Sequence, residues 1–420
     1  MSNFRRWLVM ICLCLSGGII YLLPYLREVY YLPLLEALDV TNTQLGVLMS
    51  AFGATAMLSY FPGGWIADRV SPRVLISLSM ISTGLGGFYF ATFPAYRICI
   101  LIHAFWGVSV TLTFWAALIK ATRNWAPPSQ QGRAFGILES GRGIAELVSS
   151  TALLALFAKL GSEAFALSWV IVLFSIVDIL IGILAWFVLD DARKVSSAED
   201  KFKIGLGEII KILKMPAVWF LSIVIMAAYS AYWGSYYFTP YATDVFKMSL
   251  VFGGAIGVGK MWVKPLPALG AGFLADRIGP SRTVAWSFVV LIFSFCVFVL
   301  TPGSPDLVLF LIINTIIASL AIFAVRGVYY AMFEEGGIPL ALTGTATGIV
   351  SVIGYTPDIF MPVAGGALLD KFPGSQGYRY FFLIIVGLCV LGLISALIIM
   401  RKYSSFDRLS GNSRKTSSVD

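Results

Sequence analysis

Charge is what this sequence has least of. Asp, Glu, Lys and Arg make up 12% of its 420 residues, about half the share in a soluble domain. Histidine occurs once, at His103. The five cysteines (Cys12, Cys14, Cys99, Cys296, Cys389) show neither metal-type nor disulfide-type spacing. They read as packing residues, and no metal centre is expected. No glycine-rich phosphate loop leading into Lys-Ser/Thr is present, and no nucleophile–base pair includes His103. An enzyme reading therefore has no support, and no cofactor is expected. Asn-x-Ser/Thr is absent too, which is compatible with a bacterial membrane.

What is abundant is apolar surface. Hydrophobic residues reach 58%, and the stretches Val74 to Tyr96, Thr283 to Thr301 and Tyr380 to Met400 carry no charge. A helix needs about 20 such residues to cross a bilayer. The pattern predicts an all-α, integral membrane protein with twelve spans. In the first half these are 6–32, 43–67, 73–94, 96–121, 133–158 and 164–189. In the second they are 215–243, 249–275, 282–301, 306–333, 341–368 and 377–402. Arg5 and Arg6 before the first run imitate a signal peptide, but the run is too long and lacks a small-x-small cleavage site; it reads as a retained helix. The organisation expected is a six-helix bundle over 1–189, a linker over 190–214, a second bundle over 215–402 and a disordered, Ser/Arg/Lys-rich tail over 403–420. Ile204 to Met215 within the linker alternates apolar and charged residues like a helix lying on the membrane surface. The net charge of +8 does not point to nucleic acid: most Lys and Arg fall in loops on the N-terminal side, which places both termini in the cytoplasm.

One short pattern occurs twice. Gly64, Asp68, Arg69 and Arg73 follow the second span; Gly272, Asp276, Arg277 and Arg282 follow the eighth, at the same interval of about half the chain. Glycine at a helix end permits close contact with a neighbour, Asp can accept from a helix N-terminus or pair with Arg, and arginines hold anionic headgroups. With these two copies the chain resembles a major facilitator superfamily transporter over residues 5 to 402. The resemblance implies two pseudo-symmetric six-helix bundles, alternating access for a small solute, and gating roles for the eight residues of the two copies. Ser71 departs from the glycine usual in the first copy. A monomer in an inner membrane, with lipids as its other partners, is expected. Arg326 to Tyr330 and Gly344 to Asp358 resemble bacterial inner-membrane members of the family, and Tyr31 to Ile76 resembles organophosphate/phosphate exchangers. The seventh span, however, lacks the arginine those exchangers use, and Arg27 lies nearer the outer end than theirs.

A charge near the bilayer centre costs about 2.5–3.5 kcal/mol and needs a partner or a task. Glu139, Arg142 and Glu146 share one face of the fifth span, where Arg142 can neutralise both carboxylates. Lys260 and Lys264 lie one turn apart in the eighth, with Asp358 or Glu146 as expected partners. Arg326 lies in the tenth span, and Glu334 further along is a candidate inner-gate cap. Tyr229, Trp233 and Tyr236 recur at helical spacing, with Tyr232 beside them and Tyr25 in the first span. Rings with polar tips suit sugars and rigid organic solutes. Tyr237 and Tyr241 read as interfacial belt residues. Arg142, Lys260, Lys264, Arg326, Tyr229, Trp233, Tyr236 and Tyr25 are the candidate solute ligands. Glu139, Glu146, Asp358 and His103 are the candidates for proton coupling. Asp178, on a helix expected to face lipid, has no assigned partner. The reading that follows is a carrier of a small polar, anionic organic solute. A proton-coupled drug or amphiphile exporter and a non-transporting receptor are the alternatives.

Overall fold

The computed structural model describes residues 3–125, 131–189, 206–338 and 343–402. Each of the twelve expected spans contains helix, and nine helical stretches among the described residues are long and apolar enough to cross a membrane. The first expected span is broken: α1 (Asn3–Ile19) gives way at Pro24 to a 3-10 turn (Leu26–Glu28) before α2 (Tyr31–Leu38). Thr41 then caps α3 (Asn42–Arg69), its side chain accepting from the Gln44 amide while Gln44 returns a bond to the Thr41 amide. This reciprocal pair satisfies two otherwise orphaned donors. After α4 (Pro72–Phe90), α5 (Tyr96–Val108) runs through a π-helical stretch (Ser109–Trp115) into α6 (Ala116–Trp125). Helices α7 (Gln131–Lys159) and α8 (Ala164–Val188) follow. The expected surface helix is α9 (Leu206–Leu213).

The second half repeats the theme with more breaks. Helices α10 (Pro216–Ser235) and α11 (Phe238–Asp244) part at Tyr236–Tyr237, and α12 (Leu250–Val263) and α13 (Pro265–Ile278) at Lys264. Pro265 has no amide hydrogen to continue the ladder. Gly279 at φ 97° turns the chain into α14 (Pro280–Leu300), a backbone region that glycine enters at little cost. Helix α15 (Val308–Val328) ends in a 3-10 turn (Tyr329–Ala331) and α16 (Met332–Glu335); α17 (Thr343–Gly354) and α18 (Pro357–Lys371) part at Tyr355–Thr356; α19 (Ser375–Lys402) closes the fold.

Contacts divide the chain into two units. The first comprises Met1–Glu199, Phe238–Trp262 and Asp358–Pro373; the second comprises Asp200–Tyr237, Val263–Pro357 and Gly374–Asp420. The segments Phe238–Trp262 and Asp358–Pro373, which lie in the second half of the sequence, thus pack with the first unit. The chain changes units close to the helix ends just described. In the first unit α4 packs on α8, α3 on α5 and α1 on α7. Helix α18 lies so close to α3 that a Cβ on Gly53 would sit 2.7 Å from the Asp358 carbonyl oxygen. Close backbone approach is how helices gain packing energy where lipid removes the hydrophobic drive. At the end of this contact the Asp370 carboxylate accepts from the Asn42 and Thr43 amides at 3.0 and 2.7 Å, an anion on a helix N-terminus. In the second unit α14 packs on α19 and α15, and α10 on α19 and α17.

One expectation needs correction, and two residues left open gain a place. Tyr237 and Tyr241 are fully buried rather than interfacial, because the break after α10 turns both rings inward, Tyr237 onto Phe381 at 4.3 Å and Tyr241 onto Phe246 at 5.5 Å. Asp178 lies on a buried face of α8, with neither carboxylate oxygen bonded to a described residue; α8 packs along α4, where a Cβ on Gly84 would lie 3.2 Å from the Asp178 Cβ. Glu334 is exposed, and its buried neighbour Glu335 accepts from the Ser281 amide at 2.8 Å, at the start of α14. The linker residues 190–205, the tail 403–420 and the side chain of Asp68 lie outside what is described.

Candidate functional site

Within the second unit the last turn of α15 presents Arg326 to one face of α10. Tyr229, Tyr232, Trp233 and Tyr236 recur there at three- and four-residue spacing, which stacks them along one helix stripe. The guanidinium carbon lies 3.9 Å from the Tyr232 ring centroid and 5.4 Å from that of Tyr229. The Tyr236 hydroxyl donates to the Tyr232 hydroxyl at 2.9 Å. Trp233 is buried on the flank, 4.8 Å from the Tyr236 ring.

The second wall comes from the helix breaks. Tyr229 packs 4.8 Å from the Tyr355 ring, at the junction of α17 and α18. The hydroxyls of Tyr355 and Tyr330 are 2.9 Å apart, and Tyr330 also meets the Ser351 hydroxyl at 3.1 Å. Tyr329 leans on Tyr330 at 4.6 Å between centroids. Electrostatically, Arg326 feels the phenols of Tyr232, Tyr329, Tyr229 and Tyr236. It is half-buried, and among the described residues no carboxylate lies within ion-pair distance of it and none accepts a hydrogen bond from it. A guanidinium carries five donors in a planar fork suited to a carboxylate or phosphate. Ring faces stabilise its charge by about 0.5–2 kcal/mol each but leave those donors open.

Two cations of the first unit, Arg142 and Lys260, are held differently. Arg142 Nη1 is 2.6 Å from Glu139 Oε1, its Nε donates to the Gly17 carbonyl at 3.1 Å, and its guanidinium carbon lies 5.1 Å from the Trp115 ring centroid. Tyr21 lies in the combined field of Arg142, Glu139 and Asp358, and Tyr25 packs on Tyr21 and on Phe52, at 6.4 and 5.3 Å. Lys260 was expected to meet Asp358 or Glu146; its recorded ion pair is with Glu28, Nζ to Oε1 at 2.6 Å, both side chains buried. Gly257 makes this possible, since a Cβ there would lie 2.6 Å from the Glu28 carbonyl oxygen. Lys264 stands at the α12–α13 break, half-buried. His103 is buried between the Phe90 and Trp106 rings and its Nδ1 meets the Cys99 carbonyl at 2.9 Å.

In the duplicated pattern, Gly64 to Arg69 form the last turns of α3, and Arg69 folds back over Trp65 at 3.9 Å. Lys120 donates to the Ala67 carbonyl at 2.5 Å, a cation at the C-terminal end of a helix. Arg73 lies 4.5 Å from the Trp186 ring. In the other copy, Gly272, Asp276 and Arg277 close α13, the last two exposed, and half-buried Arg282 opens α14. Sequence reasoning missed Glu28, Tyr329, Tyr330, Ser351 and Tyr355. The run Arg326-Gly-Val-Tyr-Tyr was the signal available for two of them.

The sequence profile of the Major Facilitator Superfamily matches residues 6–357. The chain belongs to that superfamily. It is 31% identical to the inner membrane protein YqcE of Escherichia coli over 94% of either chain, and 29% identical to E. coli inner membrane protein YihN over 96% of this chain and 97% of that one. At 22% identity it is similar to a hexuronate transporter of Bacillus subtilis over 94% of each. Its fold is that of a bacterial homologue of the human lysosomal transporter Spinster in its inward-facing crystal structure, with a TM-score of 0.77 at 15% identity, covering 96% of this chain and 98% of the other. As a member of the superfamily the protein is an integral, multi-pass membrane transporter and not an enzyme.

Proposed function

We propose that this facilitator carries a small, hydroxyl-rich organic anion, of which a hexuronate is the type, by alternating access. The observation that carries the reading is Arg326. It is a cation within a membrane span, braced by tyrosine rings, with its donors unclaimed by described residues. A solute carboxylate would take the fork, while the hydroxyls of Tyr229, Tyr236, Tyr330 and Tyr355 and the ring of Tyr232 would meet its hydroxyls and C–H face. The relation to a hexuronate transporter supports this chemistry. Glu139 and Asp358 of the first unit are the carboxylates we assign to proton coupling, and Lys260 is reserved for the Glu28 pair. The two duplicated loops, with Asp68, Arg69, Asp276 and Arg277, are assigned to gating.

The test is uptake of labelled hexuronate into proteoliposomes under an imposed pH gradient. Accumulation that is competed by other sugar acids, weakly competed by neutral hexoses and lost in Arg326→Gln is expected. Uptake competed equally by neutral hexoses would contradict the anion reading, and uptake that survives collapse of the proton gradient would contradict the coupling.

A further inference from the structure

An apolar groove of about 720 Å³ runs between α1 and α7, entirely within the first unit. One wall carries Met10, Ile11 and Cys14; the other carries Gly136, Ile144 and Val148. Ile11, Ile144 and Val148 are 52%, 62% and 60% exposed. From Gly136 to Ser149 the wall rises about 20 Å at 1.5 Å per residue, more than the depth of one leaflet, about 15 Å. Gly136 opens the wall, for a Cβ on it would meet nothing within 4 Å.

At the N-terminal mouth the chemistry changes sharply. Trp7 lines the groove and packs edge-on to Trp125 at 5.5 Å. Trp125 donates its indole N–H to the Arg6 carbonyl at 2.6 Å, and the Arg6 guanidinium carbon lies 4.4 Å from its ring centroid. Arg5 is exposed beside it, and the Arg6 Nε has no hydrogen-bond partner among the described residues. Paired tryptophans mark headgroup depth, and adjacent arginines at that depth attract anionic headgroups. We infer that this groove is a binding site for one anionic glycerophospholipid of the leaflet on the N-terminal side, an acyl chain along the α1–α7 slot and the phosphate at Arg5 and Arg6. The site shares no residue with the Arg326 cluster and stands or falls without it.

The experiment is native mass spectrometry of the purified full-length protein, exchanged with equimolar phosphatidylglycerol and phosphatidylcholine. One retained phosphatidylglycerol is expected, favoured over phosphatidylcholine. Arg6→Gln should cut that preference about fivefold, the worth of one basic residue near a charged membrane surface. Gly136→Trp, built where a Cβ would meet nothing within 4 Å, should reduce retention of both lipids. If that variant does not purify as a folded species, Ser140→Trp on the same wall replaces it. Equal retention of the two lipids, retention of detergent alone, or unchanged retention in the filled variant would overturn the proposal.

Discussion

In the first unit, Lys260 and Arg142 each have a carboxylate at 2.6 Å, Glu28 and Glu139 respectively. In the second, Arg326 meets tyrosine rings at 3.9 and 5.4 Å and no described carboxylate. The Lys260–Glu28 pair is buried and electrically complete, so it can fix helices without needing anything else. A cation held by rings keeps its charge and its donors available. The difference separates a charge pair that holds the fold from a charge that can recognise a ligand, and it is the reason for assigning Arg326 rather than Lys260 to the solute.

The contrast breaks most visibly at Glu28. Glu28→Gln removes the carboxylate charge 2.6 Å from buried Lys260 and should cost about 3–5 kcal/mol, seen as a lower midpoint of thermal unfolding in detergent. The double variant Glu28→Met/Lys260→Met should recover most of that loss. If the single variant is as stable as the parent, the pair is not structural. Arg326→Gln should behave in the opposite way, with the unfolding midpoint little changed and solute binding weakened by about 2–3 kcal/mol, a factor of about 30–150. Arg326→Lys should recover only part, because a point charge cannot copy a planar fork.

Gly53→Leu tests the close α3–α18 contact within the first unit. Overpacking against the Asp358 backbone should cost about 1–3 kcal/mol of stability, while Gly136→Leu, in open space, should cost far less. Asp370→Asn removes charge from the α3 N-terminus and should cost about 0.3–1 kcal/mol, less at high salt. The smallest effect belongs to Glu139→Gln on stability. Its side chain is 61% exposed, and such pairs contribute about 1 kcal/mol or less. A large loss of proton-driven uptake with unchanged stability would place Glu139 in coupling.

Much of the arrangement was readable from spacing alone. Uncharged runs placed the spans, the Tyr229/Trp233/Tyr236 period placed three rings on one stripe, and Arg326 stood out as a charge within a span. What was not readable depends on where helices break. Tyr355 reaches Tyr330 because α17 ends one residue earlier, and Glu28 reaches Lys260 because the first span gives way to a 3-10 turn. A uniform 3.6-residue period carries no record of either interruption. The same blindness put Tyr237 and Tyr241 in an interfacial belt. Asp178 was left without a partner for another reason: a lipid-facing helix still has one face against its own bundle, and composition does not say which.

Equilibrium binding to the purified protein, comparing a hexuronate with the neutral hexose of the same stereochemistry, tests Arg326 most directly. The parent should bind the acid at least 30-fold more tightly, and Arg326→Gln should bind both alike and weakly. Equal affinity for acid and hexose in the parent, or an unchanged preference in Arg326→Gln, would contradict the assignment of that arginine to the solute.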